Sequence, residues 1–142
     1  MADKKRKGVY FSANDAVYDW AIAFLNSYRR FNPDLPIYLI PFDEDCDRLL
    51  DVQSEYDFEI YTDPSFERLE TIGEAFELGH APGVGPYWFR RYAAFCGPLD
   101  EFLYLDARQI VLVNLKPLVT APRKHGFEFM HYDCALDQVY EP

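Results

Sequence analysis

The sequence predicts an α/β domain with a mostly parallel sheet and helices on both faces. Short apolar runs rich in β-forming residues alternate with segments whose apolar residues recur at helical spacing. Such alternation produces βαβ units, which require parallel strands and right-handed crossovers. The length of 142 residues and the 49% hydrophobic content suit one domain with a substantial core.

The first half of the chain supplies two predicted strands and two predicted helices. The strands cover 9–13 and 37–40, which are short runs of β-forming residues. Pro33 and Pro36 close the helix between them. A shorter helix is expected around Leu49, Leu50 and Val52. The apolar face of the first helix is marked by Val17, Trp20, Ala21, Phe24, Tyr28 and Phe31.

The second half continues the alternation. A third strand is predicted over 58–61, followed by Asp63-Pro64 as the cap and first residue of a helix. That helix takes its apolar face from Phe66, Leu69, Ile72 and Phe76. A Gly/Pro-rich loop, 79–86, precedes a helix ended by Gly97-Pro98, with Trp88, Phe89, Tyr92, Phe95 and Cys96 on one face. A fourth strand at 102–105 runs into Asp106, the chain stays extended over 110–115, and a fifth strand is expected at 127–130.

Charge separates the chain into a basic start and an acidic body. Four of the 14 Lys and Arg residues lie in Lys4–Lys7, and the net charge is -10. Residues 1–7 are therefore expected to form a disordered basic tail, and 8–142 to form the domain. An acidic body repels a phosphate backbone, which argues against nucleic acid as a partner.

The cysteines and the hydropathy of the chain predict a cytoplasmic protein. Cys46, Cys96 and Cys134 are widely spaced and odd in number, which favours free thiols in a reducing compartment over disulfides. No apolar run reaches the length of a transmembrane segment, and the start of the sequence lacks the apolar core of a signal peptide. The oligomeric state is left open.

Polar residues follow the predicted strands where each one ends. Ala13-Asn14-Asp15, Asp43-Glu44-Asp45, Thr62-Asp63 and Asp106 occupy these positions. Ligands of open α/β sheets bind beyond the carboxyl ends of the strands, so this rim is the expected site. Asn14 and Asp15 also fit a helix-capping turn. Neither of the two common glycine-rich phosphate-binding patterns is present.

The segment Asp106-Ala107-Arg108 is the most informative one. An apolar strand delivers Asp106 to its carboxyl end, where a carboxylate can hold a divalent cation that bridges two phosphates. The usual arrangement has two carboxylates separated by one residue. Arg108 stands at the second position, and an arginine cannot ligate a cation but can pair with phosphate oxygens.

At three points the chain resembles the glycogenin-like enzymes of glycosyltransferase family 8. The run 9–16 is similar to that family's first strand and turn, and 104–115 is similar to its aspartate-x-aspartate segment with the strand beyond it. Arg90, sixteen positions before Asp106, stands where the family has a basic residue that contacts the donor diphosphate. Arg91 is adjacent and could serve instead.

The resemblance implies the Rossmann-like GT-A fold, of which this chain would hold the donor-binding half without the acceptor-binding half. Its ligand would be a nucleotide-diphosphate sugar, with an acceptor that the sequence does not specify. Phe11, Ala13 and Asn14 would hold the base and ribose, and Arg90 or Arg91 the phosphates. Asp106 would hold Mn²⁺ or Mg²⁺ if a metal binds, with Arg108 neutralising the diphosphate in place of the missing carboxylate.

Two alternatives to a glycosyltransferase stay open at this point. The first is a binding or scaffold module that keeps the fold without transfer activity, as the missing carboxylate at Arg108 suggests. The second is an unrelated doubly wound domain such as a phosphoacceptor receiver, to which Asp15 and Asp63 correspond only loosely.

Overall fold

A computed structural model describes residues 5–75 and 85–128 of the chain. They form four strands, β1 to β4, five α-helices, α1 to α5, and two 3-10 helices. The strands are β1 Lys7–Ala13, β2 Ile37–Pro41, β3 Glu59–Ile60 and β4 Glu101–Asp106. The α-helices are α1 Tyr18–Phe31, α2 Asp47–Asp51, α3 Gln53–Tyr56, α4 Ser65–Ala75 and α5 Lys116–Lys124, and the 3-10 helices are Asp15–Val17 and Pro86–Cys96.

The strands form one parallel sheet in the order β3-β2-β1-β4. From β1 the chain crosses to β2 and then to β3 on one side. It then returns past both strands to place β4 on the other side of β1. The pairing aligns Ser12 with Asp106 and Ala13 with Pro41, so the carboxyl ends of the three longest strands lie side by side. The prediction of a parallel α/β sheet is confirmed.

Apolar side chains alternate along the strands and bury a core on each face of the sheet. On one face Phe11, between Phe24 and Phe58, contacts both rings, and α1 and α5 cover it. On the other face Tyr10 packs among Tyr38, Tyr61 and Phe102, where α4 and the helix Pro86–Cys96 contribute Phe66 and Ala94. Helices therefore cover both faces, as the alternation predicted.

The amino edge of the sheet is held by ion pairs. The nearly buried carboxylate of Glu101 pairs with Lys7 at 3.1 Å and with Arg123 of α5 at 2.9 Å. Arg6 donates its backbone N–H to Asp100 at 2.7 Å. β1 thus begins at Lys7, inside the segment expected to be a disordered tail, because acidic residues at the start of β4 hold these basic ones. Residues 1–4 of that segment lie outside the described residues.

The helix predicted around Trp88 is a 3-10 helix over Pro86–Cys96, and its aromatic residues do not form its buried face. Arg90, Ala93 and Ala94 are buried, whereas Trp88 and Tyr92 are exposed. Small side chains at 93 and 94 let this helix approach the sheet closely. Gly97 ends it under the ring of Tyr10, where an added Cβ would lie 2.1 Å from the hydroxyl oxygen.

The extended segment expected at 110–115 is not a strand. It runs along α1 and is held there by side chains of that helix and its cap. Ser27 Oγ accepts the N–H of Val111 at 3.0 Å, and the buried Asn32 accepts from the N–H of Leu115 at 2.7 Å. Phe127 and Glu128, the described part of the fifth predicted strand, are not in a strand. Phe129 and Met130, Phe76 and the greater part of the 79–86 loop lie outside the described residues.

Candidate functional site

The topology places a crevice between β1 and β4 at the carboxyl edge of the sheet. The chain leaves β1 in one direction towards β2 and β3, and β4 lies on the opposite side. Open α/β sheets bind ligands where the strand order reverses in this way, because the two connections diverge and leave a gap. Asn14 follows β1 and Asp106 ends β4, so both predicted residues border this crevice.

Asn14 is held by the loop that follows β2. Its side-chain Nδ2 donates to Asp43 Oδ2 at 2.7 Å, and Asp43 Oδ1 accepts the backbone N–H of Asp45 at 3.0 Å. The backbone N–H of Phe42 donates to the carbonyl oxygen of Ala13 at 2.9 Å. These bonds fix the Asn14 amide in a half-buried position, with its carbonyl oxygen available as an acceptor.

The other residues predicted at the end of β1 stabilise the fold and do not face the crevice. The ring of Phe11 is fully buried in the core, and the side chain of Ala13 is almost fully buried. Asp15 Oδ2 and Oδ1 accept the backbone N–H groups of Arg48 and Leu49 at 2.8 and 3.2 Å. The predicted capping role therefore belongs to Asp15, but it caps α2 and not the helix that follows it in sequence. Of 11, 13 and 14, only Asn14 has a side chain that is not buried in the core.

Arg91 lies at the crevice with its guanidinium between two aromatic rings. It stacks 3.6 Å from the ring centroid of Trp88 and 5.4 Å from that of Tyr104. Its Nε donates to the carbonyl oxygen of Trp88 at 3.1 Å, and an Nη lies 3.9 Å from Asp106 Oδ1. The two terminal nitrogens make no hydrogen bond to any described residue. The guanidinium is held in place with hydrogen-bonding capacity left at its terminal nitrogens, which suits an anion at this position.

Arg90 points the other way and is fully engaged. Its side chain is 6% exposed and lies against the rings of Tyr87 and Phe66. Nε donates to Glu70 at 2.6 Å, one terminal nitrogen to Glu44 at 2.5 Å, and the other to the carbonyl oxygen of Pro41 at 3.4 Å. Burial acts to lower the pKa of Arg90, but the bonds to Glu44 and Glu70 outweigh it and raise the pKa.

Asp106 and Arg108 are both exposed, on either side of the buried Ala107. Asp106 Oδ1 accepts from the Tyr104 hydroxyl at 3.4 Å, and Arg108 makes no hydrogen bond or ion pair with a described residue. Within 5–75 and 85–128, no group of three His, Cys, Asp or Glu side chains is arranged to hold a metal ion. A lone carboxylate does not make a metal site by itself, so a bound cation stays a prediction.

Tyr104 is a member of the site that the sequence did not single out. Its ring lies under Arg91 and its hydroxyl contacts Asp106. Burial raises its pKa to about 12, Arg91 opposes that rise, and Asp106 adds to it. The hydroxyl is therefore a neutral donor at physiological pH. The available sequence signal was its position two residues before Asp106, which puts both side chains on one face of β4.

Two surface depressions in the described part of the chain lie elsewhere. Their volumes are about 430 and 360 Å³, and Asp57 and Glu59 line both of them near the amino end of β3. Neither depression is lined by the carboxyl end of a strand or by a predicted site residue. We assign the candidate site to the crevice because Arg91, Tyr104 and Asp106 contact one another there, at the carboxyl end of β4.

The chain is a parallel α/β domain with polar and charged side chains at the reversal of its strand order. Comparison with protein-family models, curated proteins and solved structures finds no match to this chain. No helix within the described ranges has the length and apolar character needed to cross a membrane.

Proposed function

We propose that this domain binds a nucleotide-diphosphate sugar at the β1–β4 crevice and belongs to a GT-A glycosyltransferase. The observation that carries the proposal is the Arg91–Asp106 pair at the end of β4, beside the end of β1 that leads into Asn14, at the reversal point of the sheet. An amide, a guanidinium whose terminal nitrogens make no hydrogen bond to a described residue, and a carboxylate match the three parts of such a ligand: base or ribose, diphosphate, and sugar hydroxyls or a cation.

Arg91 is the residue we assign to the diphosphate. The sequence left Arg90 and Arg91 as alternatives, and their surroundings distinguish them. Two carboxylates and a carbonyl already occupy the guanidinium of Arg90. The guanidinium of Arg91 is stacked on Trp88, and its terminal nitrogens make no hydrogen bond to a described residue, although one of them lies 3.9 Å from Asp106. A preorganised cation of this kind stabilises negative charge without reorganising.

In the proposed reaction the bond between the anomeric carbon of the sugar and the diphosphate oxygen breaks. Its electron pair stays on the diphosphate, and an acceptor hydroxyl oxygen bonds to the anomeric carbon and loses its proton to the departing diphosphate. Arg91 stabilises the departing diphosphate, and Arg108, whose side chain is exposed two residues beyond Asp106, adds a second positive charge. Asn14 orients the nucleoside. None of the described residues is assigned as the acceptor base.

The alternative is a module that binds the same ligand without transferring the sugar. Arg108 at the position of a second carboxylate favours it, together with the lack of a three-residue metal group among residues 5–75 and 85–128. The two functions share the binding step and differ in turnover. Both place the ligand at the same crevice.

The test is a panel of UDP- and GDP-sugars, screened by thermal shift and then titrated by calorimetry. We expect one class to bind, and Arg91→Ala to weaken it by about 10- to 100-fold, the usual loss for a charge-assisted hydrogen bond. Arg68→Ala removes the same charge from an exposed position on α4 and should leave affinity unchanged. Binding that Arg91→Ala does not affect, or no binding at all, would overturn the proposal.

Turnover separates the enzyme from the module. Release of free nucleotide diphosphate from the bound sugar donor, lost in Asp106→Asn, supports the transferase. Asp34→Asn, an exposed acid in the turn before β2, is the matched control for the charge change. Tight binding without release of diphosphate supports the non-catalytic module.

A further inference from the structure

A single buried arginine connects the helix Pro86–Cys96 to the loop that holds Asn14. Arg90 bonds to the loop at both ends, through the carbonyl oxygen of Pro41 and the carboxylate of Glu44. Between these two points lies Asp43, the partner of Asn14. The ring of Tyr87 contacts Phe42 in the same stretch, with centroids 6.3 Å apart. One helix therefore contacts the end of β2 and the loop after it at three positions, 41, 42 and 44.

The two carboxylates that pair with Arg90 differ in how exposed they are to solvent. Glu70 belongs to α4 and its side chain is 23% exposed, so it is half-buried. Glu44 is 85% exposed and makes no other hydrogen bond to a described residue. Glu70 alone balances the charge of Arg90. The bond from Arg90 to Glu44 therefore mainly holds the loop in place. It does so against the repulsion between the carboxylate of Glu44 and those of Asp43 and Asp45.

We propose that Arg90 is a positioning residue, which sets the Asn14 amide through Glu44 and Asp43 and does not itself contact the phosphates. The proposal deepens the function proposed above and rests on it for the identity of the ligand. It assigns the nucleoside end of the crevice to Arg90 and the diphosphate end to Arg91. Arg90 thus acts on the nucleoside indirectly, by positioning Asn14, whereas the adjacent Arg91 contacts the diphosphate directly.

The first test uses the unliganded protein, so it stands even if no nucleotide binds. In ¹⁵N-labelled protein, Glu44→Ala should shift the side-chain amide resonances of Asn14. Asp51→Ala removes the same charge from an exposed position on α2, where the carboxylate has no hydrogen bond or ion pair with a described residue, and should leave them in place. Glu44→Gln keeps an oxygen for Arg90 and should restore the native resonances. Unmoved Asn14 resonances in Glu44→Ala would overturn the proposal.

The second test compares nucleosides with their diphosphates, using uridine with UDP and guanosine with GDP. A positioning role predicts that Arg90→Lys and Glu44→Ala weaken nucleoside and diphosphate by the same factor, roughly fivefold. A phosphate contact predicts a loss for the diphosphate alone, and that result would contradict the proposal. If none of the four binds the native protein, the proposed function fails, and the resonances of Asn14 still decide the role of Arg90.

Discussion

Arg90 and Arg91 are neighbours in sequence, but their guanidinium groups have opposite surroundings. Composition and motif spacing could not separate them, because either lies at a suitable distance before Asp106. The separation comes from the 3-10 helix, which buries Arg90 with Ala93 and leaves Arg91 at the crevice. Which arginine faces the ligand therefore depends on packing between a helix and the sheet, and the local sequence carries little of that information.

Arg108 gives a prediction about metal binding. Arg108→Asp places a second carboxylate one residue beyond Asp106 on the exposed side of the turn. Two carboxylates can reach one cation, so affinity for Mn²⁺ should rise at least about tenfold over the native protein. Calorimetry with manganese chloride measures the change. Arg108→Ala removes the positive charge without adding a ligand, and an equal gain in that variant would show that charge alone is responsible.

The cysteines should differ in reactivity. Burial, followed by the charges of Asp43 and Asp15, raises the pKa of the Cys46 thiol to about 12. At pH 8 about one Cys46 thiol in ten thousand is ionised, and the protein covers it. Cys96 is exposed. In a Cys134→Ser background, one thiol should react quickly with a disulfide reagent and Cys46 only on unfolding. Two fast thiols would contradict the burial of Cys46.

At the scale of elements, α2 depends on a cap supplied from a distant position in sequence. Asp15→Ala removes the acceptors for two backbone N–H groups of Arg48 and Leu49. The free energy of unfolding should fall by about 1 kcal/mol, the usual cost of losing a helix cap. Urea denaturation measures it, with Asp34→Ala as a matched exposed acid. Equal midpoints for the two variants would show that the cap contributes nothing.

The sequence predicted the strands well because their signals are local. Each of β1, β2 and β4 is an apolar run with β-forming residues, and the predicted ranges fall within the observed ones. The segment 110–115 has the same composition but is not a strand in the structure. Ser27 and Asn32 bond to its backbone and hold it against α1. Tertiary hydrogen bonds therefore determine the conformation of this segment, and strand propensity does not include such bonds.

At the scale of the whole molecule, the topology predicts the edge of the sheet at which a ligand would bind. It does not predict which side chains contact one another there. Strand ends at Asn14 and Asp106 follow from the βαβ alternation, and their proximity follows from parallel pairing. The contacts of Arg91 with Tyr104 and Asp106 and the bond between Asn14 and Asp43 depend on long-range packing. Residues more than ten positions apart in sequence make these contacts, so spacing alone could not reveal them.

Buried tyrosines make the fold sensitive to alkali. Burial is the largest cause of a raised pKa at six of them: Tyr10, Tyr28, Tyr38, Tyr56, Tyr61 and Tyr104. In the unfolded chain tyrosine ionises near pH 10. Above that pH the unfolded state releases protons that the folded state retains, so stability is full below about pH 10 and falls above it.

The measurement is urea unfolding at pH 8, 10 and 11, with tyrosinate absorbance followed in parallel. We expect the midpoint to fall between pH 10 and 11, and the buried tyrosines to titrate only as the chain unfolds. The same chain in concentrated guanidinium chloride should titrate near pH 10 and serves as the reference. A folded protein whose tyrosines all ionise near pH 10 would contradict the burial described here.

The two tryptophans lie on opposite faces of the sheet. Trp20 belongs to α1 and is 59% exposed. Trp88 is 42% exposed, and the guanidinium of Arg91 stacks on its ring. Each face of the molecule therefore contains its own intrinsic fluorophore. With Trp20 replaced by Phe, emission would report events at the crevice, and with Trp88 replaced it would report the opposite face. The protein can thus show optically which of its two faces a ligand or a denaturant reaches first.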